Sequence, residues 1–312
     1  MTILITGANG FVGTALVEKL KMDGRNHIGV VRKGSERPGC VIGPALGATT
    51  DWCVLLSDVS TVIHCAARVP VIRETTTVPA RAFQAVNTVG TLNLARQAAT
   101  SGIRRFIFLS SVKVNGEETT AGHPFGPADA PFPQDAYGTS KADAEAGLRA
   151  LASETDMEYV IIRAPLVYGP GVKGNFAAMM RAVTRGLPLP FGAITDNRRS
   201  LVGLDNLVEL IVTCIDPPAA ANQTFLVSDG EDLSTADLLR RLGAAMGKPA
   251  RLLNIPPALL GAAAAMIGKH AVAQRLLGNL QVDISHTCRT LGWKPPISVD
   301  EGLRRTVQGA IR

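Results

Sequence analysis

The chain has 312 residues and 46% of them are hydrophobic, which is enough to bury one large α/β core and a smaller lobe. Only 4% are aromatic and the formal net charge of +6 comes from scattered Lys and Arg, so we expect no nucleic-acid partner and attribute the charge to a cleft for an anionic ligand. The five cysteines include no Cys-x2-Cys pair, which favours reduced thiols in the cytoplasm over disulfides or a zinc site.

Strand-like and helix-like patterns alternate along the first half of the chain. Apolar β-like runs lie at about 2–6, 27–31, 61–64, 105–110 and 158–163, and helical patterns lie at about 10–23, 78–101 and 137–155. A weaker strand is indicated near Cys40. This alternation predicts an α/β fold with a doubly wound parallel sheet. We assign residues 1–165 to the sheet domain, with a return to it at about 199–215, and residues 166–312 to a smaller, mainly helical lobe.

The first predicted strand leads into a turn with glycines at 7, 10 and 13, and an amphipathic helix follows. Glycines at this spacing allow a tight turn, a close approach of backbone to a pyrophosphate, and close packing of helix on strand. The alternative is a plain tight turn, but the strand-to-helix context favours a dinucleotide site.

The second strand ends at Arg32 and Lys33, where a site that prefers NAD(H) usually has a carboxylate for the ribose 2′-hydroxyl. A guanidinium offers a planar donor fork that suits a 2′-phosphate. We therefore favour NADP(H), with NAD(H) as the alternative if Arg32 is simply a solvated residue at the strand end.

Ser110 and Ser111 end an apolar strand, and parallel sheets bind ligands at the carboxyl ends of their strands. Serine is also an ordinary turn residue, but Ser111 precedes the next motif at a workable distance. In that motif, the four-residue spacing of Tyr137 and Lys141 stacks a phenol and an ammonium on one helix face. A phenol ionises near ~10, and an adjacent lysine, ideally with a second positive charge from a cofactor, can lower its pKa towards neutral, where it can exchange protons with a hydroxyl or ketone.

The second half of the chain is less regular. Prolines and glycines between residues 165 and 174 predict a loop. The longest apolar stretch, 258–267, is half of the ~20 residues needed to cross a bilayer, so we predict a packed helix of the smaller lobe and no stable membrane insertion. Met1 and Thr2 run directly into the first strand, so we also expect no signal peptide.

With these residues the chain resembles the extended short-chain dehydrogenase/reductase family, in particular its nucleotide-sugar epimerases, dehydratases and reductases. The motifs that carry the resemblance are ITGANGFVG (5–13), VIHCAA (62–67), VNTVGTLNLA (86–95), FLSSVKVNGE (108–117), YGTSK (137–141), RAPLVYGPGVKGNF (163–176) and LGWKP (291–295). Together with LQVDIS (280–285), they are most similar to a branch found with bacterial O-antigen genes, which includes UDP-glucose 4-epimerase-like proteins and reductases of UDP-4-keto-6-deoxy-hexosamines. The resemblance implies a Rossmann sheet with a substrate-binding C-terminal lobe.

The resemblance also implies which residues act. The catalytic set is Ser111, Tyr137 and Lys141. The cofactor set is Gly7, Asn9, Gly10, Phe11, Val12, Gly13, Arg32, Ala66, Ala67, Asn87, Tyr137 and Lys141. The substrate set is Ser111, Lys113, Asn175, Arg198 and Arg199.

Several of these assignments keep an alternative. Arg198 and Arg199 are equal candidates for the substrate diphosphate, and Lys113 is as well explained as a surface lysine. Asn87 resembles the asparagine that braces the active-site helix in this family, whereas His64 is interpreted as a satisfied core histidine. No sequence pattern indicates a metal.

The expected function is hydride chemistry at C4 of a UDP-sugar, with reduction of a UDP-4-keto-6-deoxy-hexosamine favoured and UDP-hexose or UDP-N-acetylhexosamine 4-epimerisation as the alternative. A 4,6-dehydratase is disfavoured because Val112 and Lys113 stand where such members carry an acidic pair. A hypothesis from another class is a non-catalytic nucleotide sensor on the same fold. The sequence leaves the oligomeric state open, with a homodimer as one candidate.

Overall fold

A seven-stranded parallel sheet forms the centre of the computed structural model, which describes residues 1–70, 78–266, 268 and 270–311. The sheet strands are β1 (Thr2–Thr6), β2 (His27–Arg32), β3 (Cys40–Gly43), β4 (Val59–His64), β5 (Arg105–Ser111), β6 (Glu158–Ala164) and, after two strands of a second sheet, β9 (Gln223–Leu226). Their spatial order is β3-β2-β1-β4-β5-β6-β9. The order reverses between β1 and β4, which places the ligand crevice of a doubly wound sheet at the carboxyl ends of these two strands.

Helices cover both faces of this sheet. The helices of the first half are α1 (Phe11–Met22), α2 (Cys53–Leu56), α3 (Pro79–Phe83), α4 (Thr91–Thr100) and α5 (Ala136–Glu154). Strand side chains alternate between the faces: Leu4 packs with α4 and α5, whereas Ile3 and Ile5 pack with α1. The predicted doubly wound α/β fold is confirmed.

One helical segment winds differently. Residues Gln84–Gly90 form a π-helical stretch between α3 and α4, within the region predicted as one helix over 78–101. The extra residue per turn leaves Asn87 fully buried against α5.

A second, three-stranded sheet forms the base of the smaller lobe. Its strands are β7 (Leu166–Tyr168), β8 (Arg199–Gly203) and β10 (Asp232–Leu233), in the order β10-β8-β7. The later helices are α6 (Gly174–Thr184), α7 (Leu204–Thr213), α8 (Thr235–Ala245), α9 (Pro257–Met266), α10 (His270–Leu277), α11 (Ser285–Leu291) and α12 (Val299–Ile311). The small sheet packs with α6, α8 and α12 around Tyr168, Phe176 and Leu239.

The chain returns to the large sheet through α7 and β9. Helix α7 packs against α1, and Val160 of β6 pairs with Gln223 of β9. The predicted return at 199–215 is therefore only partly right: residues 199–203 form β8 of the small sheet, and the return to the large sheet is made by α7 and by β9, which adds a parallel strand at the β6 edge.

Helix α9 differs from its prediction as a packed helix. None of its residues is buried, and Leu259 and Met266 are 61% and 82% exposed. The expectation of a packed helix is wrong because no described element covers it except α10 on one side. Over the described ranges, no helix combines the length and apolarity that a membrane span requires.

Candidate active site

In the glycine turn, backbone segments pack so closely that side chains do not fit at Gly7 and Gly13. Gly7 has φ +70°, and a Cβ there would lie 2.8 Å from the Ala66 nitrogen. A Cβ on Gly13 would lie 2.1 Å from the Gly7 carbonyl oxygen, so α1 packs directly on the turn. Gly10 precedes α1 without a side-chain cap, which leaves first-turn N–H groups, beginning at Phe11 and Val12, open to an anion. Ala66 and Ala67 follow β4 beside this turn, so the cradle fits a dinucleotide diphosphate.

Two arginines, Arg32 and Arg37, lie in the segment at the end of β2, next to the glycine turn. Arg32 and Lys33 are exposed where β2 ends, and Arg32 has no ion-pair partner among the residues described. Asn9 donates to the Ser35 carbonyl at 3.2 Å, which ties the glycine turn to this loop. Arg37, which sequence analysis did not select, donates to the Ala8 carbonyl at 3.1 Å and pairs with Glu18 at 2.6 Å. Within the described part of the chain, the Arg32 guanidinium at the end of β2 is therefore without an ion-pair partner, whereas that of Arg37 is paired.

Ser110 and Ser111 point to opposite faces of β5, as neighbouring strand residues must. The Ser110 hydroxyl is buried and donates to Glu145 at 2.6 Å. Glu145 is fully buried and also accepts from Arg163 of β6 at 2.7 Å, so Ser110 belongs to a structural network. Ser111 is half-buried and its hydroxyl faces the Tyr137 phenol.

Tyr137 and Lys141 occupy consecutive turns of α5 with different surroundings. Lys141 is 2% exposed, donates from Nζ to the Leu109 carbonyl at 2.8 Å and lies 4.3 Å from the centre of the Phe108 ring. Burial lowers its pKa to about 8, against the opposing charges of Cys65 and Glu145. The ammonium is thus anchored on β5 and remains largely protonated at neutral pH.

The pKa of Tyr137 is shifted opposite to the expectation. Burial of the phenol and the charge of Asp135 together raise its pKa to about 12, and the interaction with the Ser111 hydroxyl opposes the rise. The expected lowering towards neutral pH is wrong for the protein groups alone, because Lys141 is directed at Leu109 and Phe108. A positive charge next to the phenol has to come from another group at this site.

Lys113 lies beside the start of α5. Its ammonium forms ion pairs with Glu117, at 2.5 Å, and with Asp135. Asp135 is the N-cap of α5 and accepts the Gly138 N–H at 2.6 Å. Its pKa is lowered by Lys113 and by the Gly138 N–H, against its own burial. Lys113 therefore holds the cap of the helix that carries Tyr137, a contact that neither interpretation of this lysine anticipated.

Buried polar contacts fix α5 from its other sides. Asn87 donates to the Ser140 hydroxyl at 3.0 Å and accepts the Arg68 N–H at 2.8 Å. Phe83 meets the Tyr137 ring edge-on, with 6.0 Å between the ring centres. His64 is fully buried between the hydroxyls of Thr6, at 2.7 Å, and Thr91, at 2.9 Å, and burial lowers its pKa to about 3. The prediction of a satisfied core histidine agrees with these contacts.

The two candidate arginines of the substrate set differ. Arg198 is exposed and its guanidinium donates back to the Thr195 and Asn197 carbonyls at 2.7 and 2.9 Å. Arg199 is half-buried, and its pKa is lowered by burial and by the nearby charge of Arg275. Neither Arg199 nor Arg275 has an ion-pair partner among the described side chains, and Arg199 donates to the Gly278 carbonyl at 3.2 Å. Two converging guanidiniums of this kind suit a diphosphate.

Arg199 and helix α10 lie near the segment that follows Ser111. Glu117, the partner of Lys113, and Glu118 are close enough to influence the pKa of Arg199. Gln274 of α10 donates to Glu118 at 3.1 Å, so α10 borders the loop that follows Ser111. Asn175 is exposed in the first turn of α6, after the loop that leaves β7.

Sequence analysis missed three residues of this region: Asp135, Arg37 and Arg275. Asp135 carries a recognisable signal, because an aspartate just before a helix start is a typical N-cap. Arg37 and Arg275 belong to no motif, and only the fold brings them near the glycine turn and Arg199. In the described ranges, no three His, Cys, Asp or Glu side chains are arranged to hold a metal ion.

Comparison with known proteins agrees with this geometry. Residues 3–228 match the NAD dependent epimerase/dehydratase family. A UDP-glucose 4-epimerase of Vibrio cholerae is 49% identical over 314 residues, which cover 100% of this chain and 96% of that protein. A UDP-glucose 4-epimerase of Thermotoga maritima, solved with UDP-glucose, has a TM-score of 0.79 at 22% identity. The match covers 100% of this chain and 99% of that structure's chain. A short-chain dehydrogenase/reductase superfamily protein of Agrobacterium tumefaciens, solved with bound NAD, also has a TM-score of 0.79 at 22% identity, with coverage of 100% and 97%. At that identity the two structures establish the fold.

Proposed function

The chain belongs to the NAD-dependent epimerase/dehydratase family and is a nucleotide-sugar epimerase or reductase, and we propose that it interconverts UDP-sugars by inverting C4. The observation that carries the chemistry is the meeting of the Ser111 and Tyr137 hydroxyls beside the glycine cradle, with Lys141 behind them. The full-length similarity to the V. cholerae 4-epimerase supports inversion over net reduction.

The protein's own part in the reaction is proton transfer and orientation. The nicotinamide, when bound in the cradle, accepts a hydride from C4 and returns it. The Tyr137 oxygen takes the proton of the 4-hydroxyl as C4 becomes a ketone, and gives it back when hydride returns to the opposite face. Ser111 donates to the same sugar oxygen and orients it. Lys141, anchored on the Leu109 carbonyl, would hold the ribose hydroxyls of the cofactor.

The Tyr137 pKa of about 12 explains why the cofactor matters to this base. A phenol with that pKa is almost entirely protonated at neutral pH and cannot take a proton from an alcohol. The Tyr137 phenolate would be stabilised by the positive charge that an oxidised nicotinamide would supply if it were bound at the carboxyl ends of the strands. The base is therefore activated when the site holds the oxidised cofactor.

Anchoring of the UDP diphosphate is assigned to Arg199 and Arg275. Both guanidiniums lie in the smaller lobe, and β8 and α10 bring them together. An anchor at the nucleotide end leaves the sugar free to turn about its link to the diphosphate, as inversion requires. Asn175 is a further candidate for a sugar or diphosphate contact. Arg198 is the weaker arginine candidate because it is exposed and its guanidinium donates to two backbone carbonyls, whereas Arg199 is half-buried and donates to one.

The observations support two candidate cofactors, NAD(H) and NADP(H). Structural neighbours bind NAD, whereas the exposed Arg32 at the end of β2 offers a partner for a 2′-phosphate. Arg32 is the observation that favours the second candidate function, which is reduction of a UDP-4-keto-6-deoxy-hexosamine by exchangeable NADPH.

One experiment distinguishes the two functions. Purified protein is denatured and its released nucleotide is quantified, and intact protein is incubated with UDP-glucose or UDP-GlcNAc without added cofactor. An epimerase releases about one nicotinamide dinucleotide per chain and forms the 4-epimer in the absence of reductant. Protein that carries no nucleotide, leaves both sugars unchanged and consumes one NADPH per UDP-4-keto-sugar is a reductase, and the proposal of inversion is then wrong.

A further inference from the structure

Helix α9 is apolar around its whole circumference and lies at the surface. Its sequence PALLGAAAAM has no polar side chain, and none of its residues is buried. Helices of this kind are normally found inside a large core or in contact with lipid, because they have no polar face to expose to water. The exposed fractions of Leu259 and Met266, 61% and 82%, show that the chain itself does not cover this helix.

Helix α10 supports α9 from one side only. A Cβ on Gly261 of α9 would meet Leu277 at 3.8 Å, which marks the contact between the two helices. Val272 of α10 is 49% exposed, so apolar surface continues from α9 onto its neighbour. Helices α9 and α10 pack on each other, and we refer to the pair as the α9–α10 hairpin.

The sequence around this hairpin has an unusual charge balance. From Leu238 to Val282 there is no Asp or Glu and there are six Lys or Arg residues, which equals the formal net charge of +6 of the whole chain. The excess charge is therefore concentrated here rather than scattered. Arg240 and Arg241 pair with Asp237 and Glu231. Lys248 and Arg251 are exposed and have no carboxylate partner within the described ranges.

We propose that the α9–α10 hairpin docks the protein on an anionic lipid surface. Apolar side chains of α9 enter the boundary between headgroups and acyl chains, and the flanking basic residues contact anionic headgroups. A helix of ten residues is about 15 Å long, half the hydrocarbon thickness, so it lies in the interface and does not span the bilayer.

The positive charge of this region favours an anionic lipid surface over a second copy of the chain as the binding partner. A two-fold contact through the hairpin would bring together two segments that contain no carboxylate of their own. Asp237 and Glu231 neutralise Arg240 and Arg241, but the other four basic residues of each segment would repel those of the second copy. An anionic bilayer offers both the apolar medium and the opposite charge. Because Gln274 of α10 contacts the loop after Ser111, docking would hold the substrate cleft close to the membrane surface.

The test is flotation of the full-length protein with vesicles of phosphatidylcholine alone or with 30% phosphatidylglycerol. Wild type is expected to float with the anionic vesicles, to float less with the neutral ones, and to be released by 0.5 M NaCl. The double variant Leu259→Gln/Met266→Gln should lower the partition coefficient by about tenfold or more, since two apolar side chains no longer leave water. Lys248→Gln/Arg251→Gln should lower it by about tenfold on anionic vesicles only.

Met22→Gln is the matched control, because Met22 is 76% exposed at the end of α1 on another part of the surface. It should float like wild type. All these side chains are exposed, so thermal unfolding midpoints and turnover of soluble UDP-sugar should stay unchanged, and the result does not depend on the proposed epimerase activity. The proposal is overturned if wild type fails to float with anionic vesicles, or if Leu259→Gln/Met266→Gln floats as well as wild type. Sedimentation that shows a dimer split by Met266→Gln, together with no flotation, would assign the hairpin to a second copy.

Discussion

Lys113 and Asp135 form an ion pair across the start of α5, two residues before Tyr137. The pair joins the segment that follows Ser111 to the helix that carries the phenol, in addition to the contacts that Asn87, Phe83 and Lys141 make around this helix. The charge of Asp135 raises the pKa of Tyr137, and Lys113 partly neutralises that charge.

This relationship predicts opposite pH effects for two substitutions. Tyr137 must lose its proton to act as a base, so activity rises as pH approaches its pKa from below. Asp135→Asn keeps the cap on Gly138 but removes the negative charge, and should move the rising limb of kcat/KM to lower pH. Lys113→Met leaves the carboxylate uncompensated and should move it to higher pH. Profiles from pH 6 to 10 would measure both shifts, and two profiles that coincide with wild type would contradict the electrostatic role.

Removal of the phenol hydroxyl tests the proton-transfer role. Tyr137→Phe keeps the ring against Phe83 and should lower kcat by at least ~10²-fold, the usual contribution of general acid–base catalysis, with little change in cofactor affinity. Tyr159→Phe, on β6, is the matched control and should keep wild-type turnover. Near-normal kcat in Tyr137→Phe would exclude the phenol as the catalytic base.

Adjacent arginines provide a matched test of the diphosphate site. Arg199→Ala should raise the KM for a UDP-sugar by roughly 10- to 100-fold, because a charged hydrogen bond is worth about 1.5–3 kcal/mol. Arg275→Ala should behave similarly, whereas Arg198→Ala should change KM only slightly because its guanidinium contacts backbone carbonyls. Steady-state kinetics with saturating cofactor would decide, and a larger effect at Arg198 would reverse the assignment.

The choice of cofactor depends on Arg32. If its guanidinium binds a 2′-phosphate, Arg32→Ala should weaken NADPH binding by about 1.5–3 kcal/mol and leave NADH binding nearly unchanged. Arg96→Ala, exposed on α4, serves as a control for the loss of a positive charge. Fluorescence titration of the protein freed of nucleotide would measure both constants. A wild type that prefers NADH would refute the inference from the missing carboxylate.

His64 predicts a pH dependence of stability. Its pKa is about 3 in the folded chain and near 6.5 when unfolded, so the unfolded state binds the extra proton below pH 6.5. Stability is therefore lost as pH falls from 6.5 towards 3, and this histidine alone should account for about 2 kcal/mol between pH 7 and 5. His64→Asn should be less stable at pH 7 yet flatter over this range. Urea unfolding at pH 7 and pH 5 would measure this. If the free energy of unfolding changed by the same amount between the two pH values in wild type and in His64→Asn, His64 would not be the cause.

Local sequence signals predicted most of the large sheet. The glycine turn, the apolar strand before Ser111 and the Tyr137–Lys141 helix each carry their signal within a few residues, so their elements and relative order could be inferred. Strand β9 could not, because its four residues are defined by pairing with β6 more than sixty positions earlier. Its edge position depends on how the chain returns from the smaller lobe.

The site was predicted less completely than the sheet. Motifs identified the candidate site residues, but not the neighbouring groups that set their pKa values and positions. The pKa of Tyr137 depends on Asp135 and on burial, and the role of Lys113 depends on two carboxylates of the folded chain. The exposure of α9 was also unpredictable, since its apolarity alone is typical of a buried helix.

The π-helical stretch Gln84–Gly90 sets the rotational phase between α3 and α4. A π-turn holds one residue more than an α-turn, so deletion of a single residue here would restore continuous α-helix. Everything on its amino-terminal side would then rotate by about 100° relative to α4. Phe83 would turn away from the Tyr137 ring, although no atom of the catalytic residues had been altered. The length of this segment is therefore as constrained as its sequence.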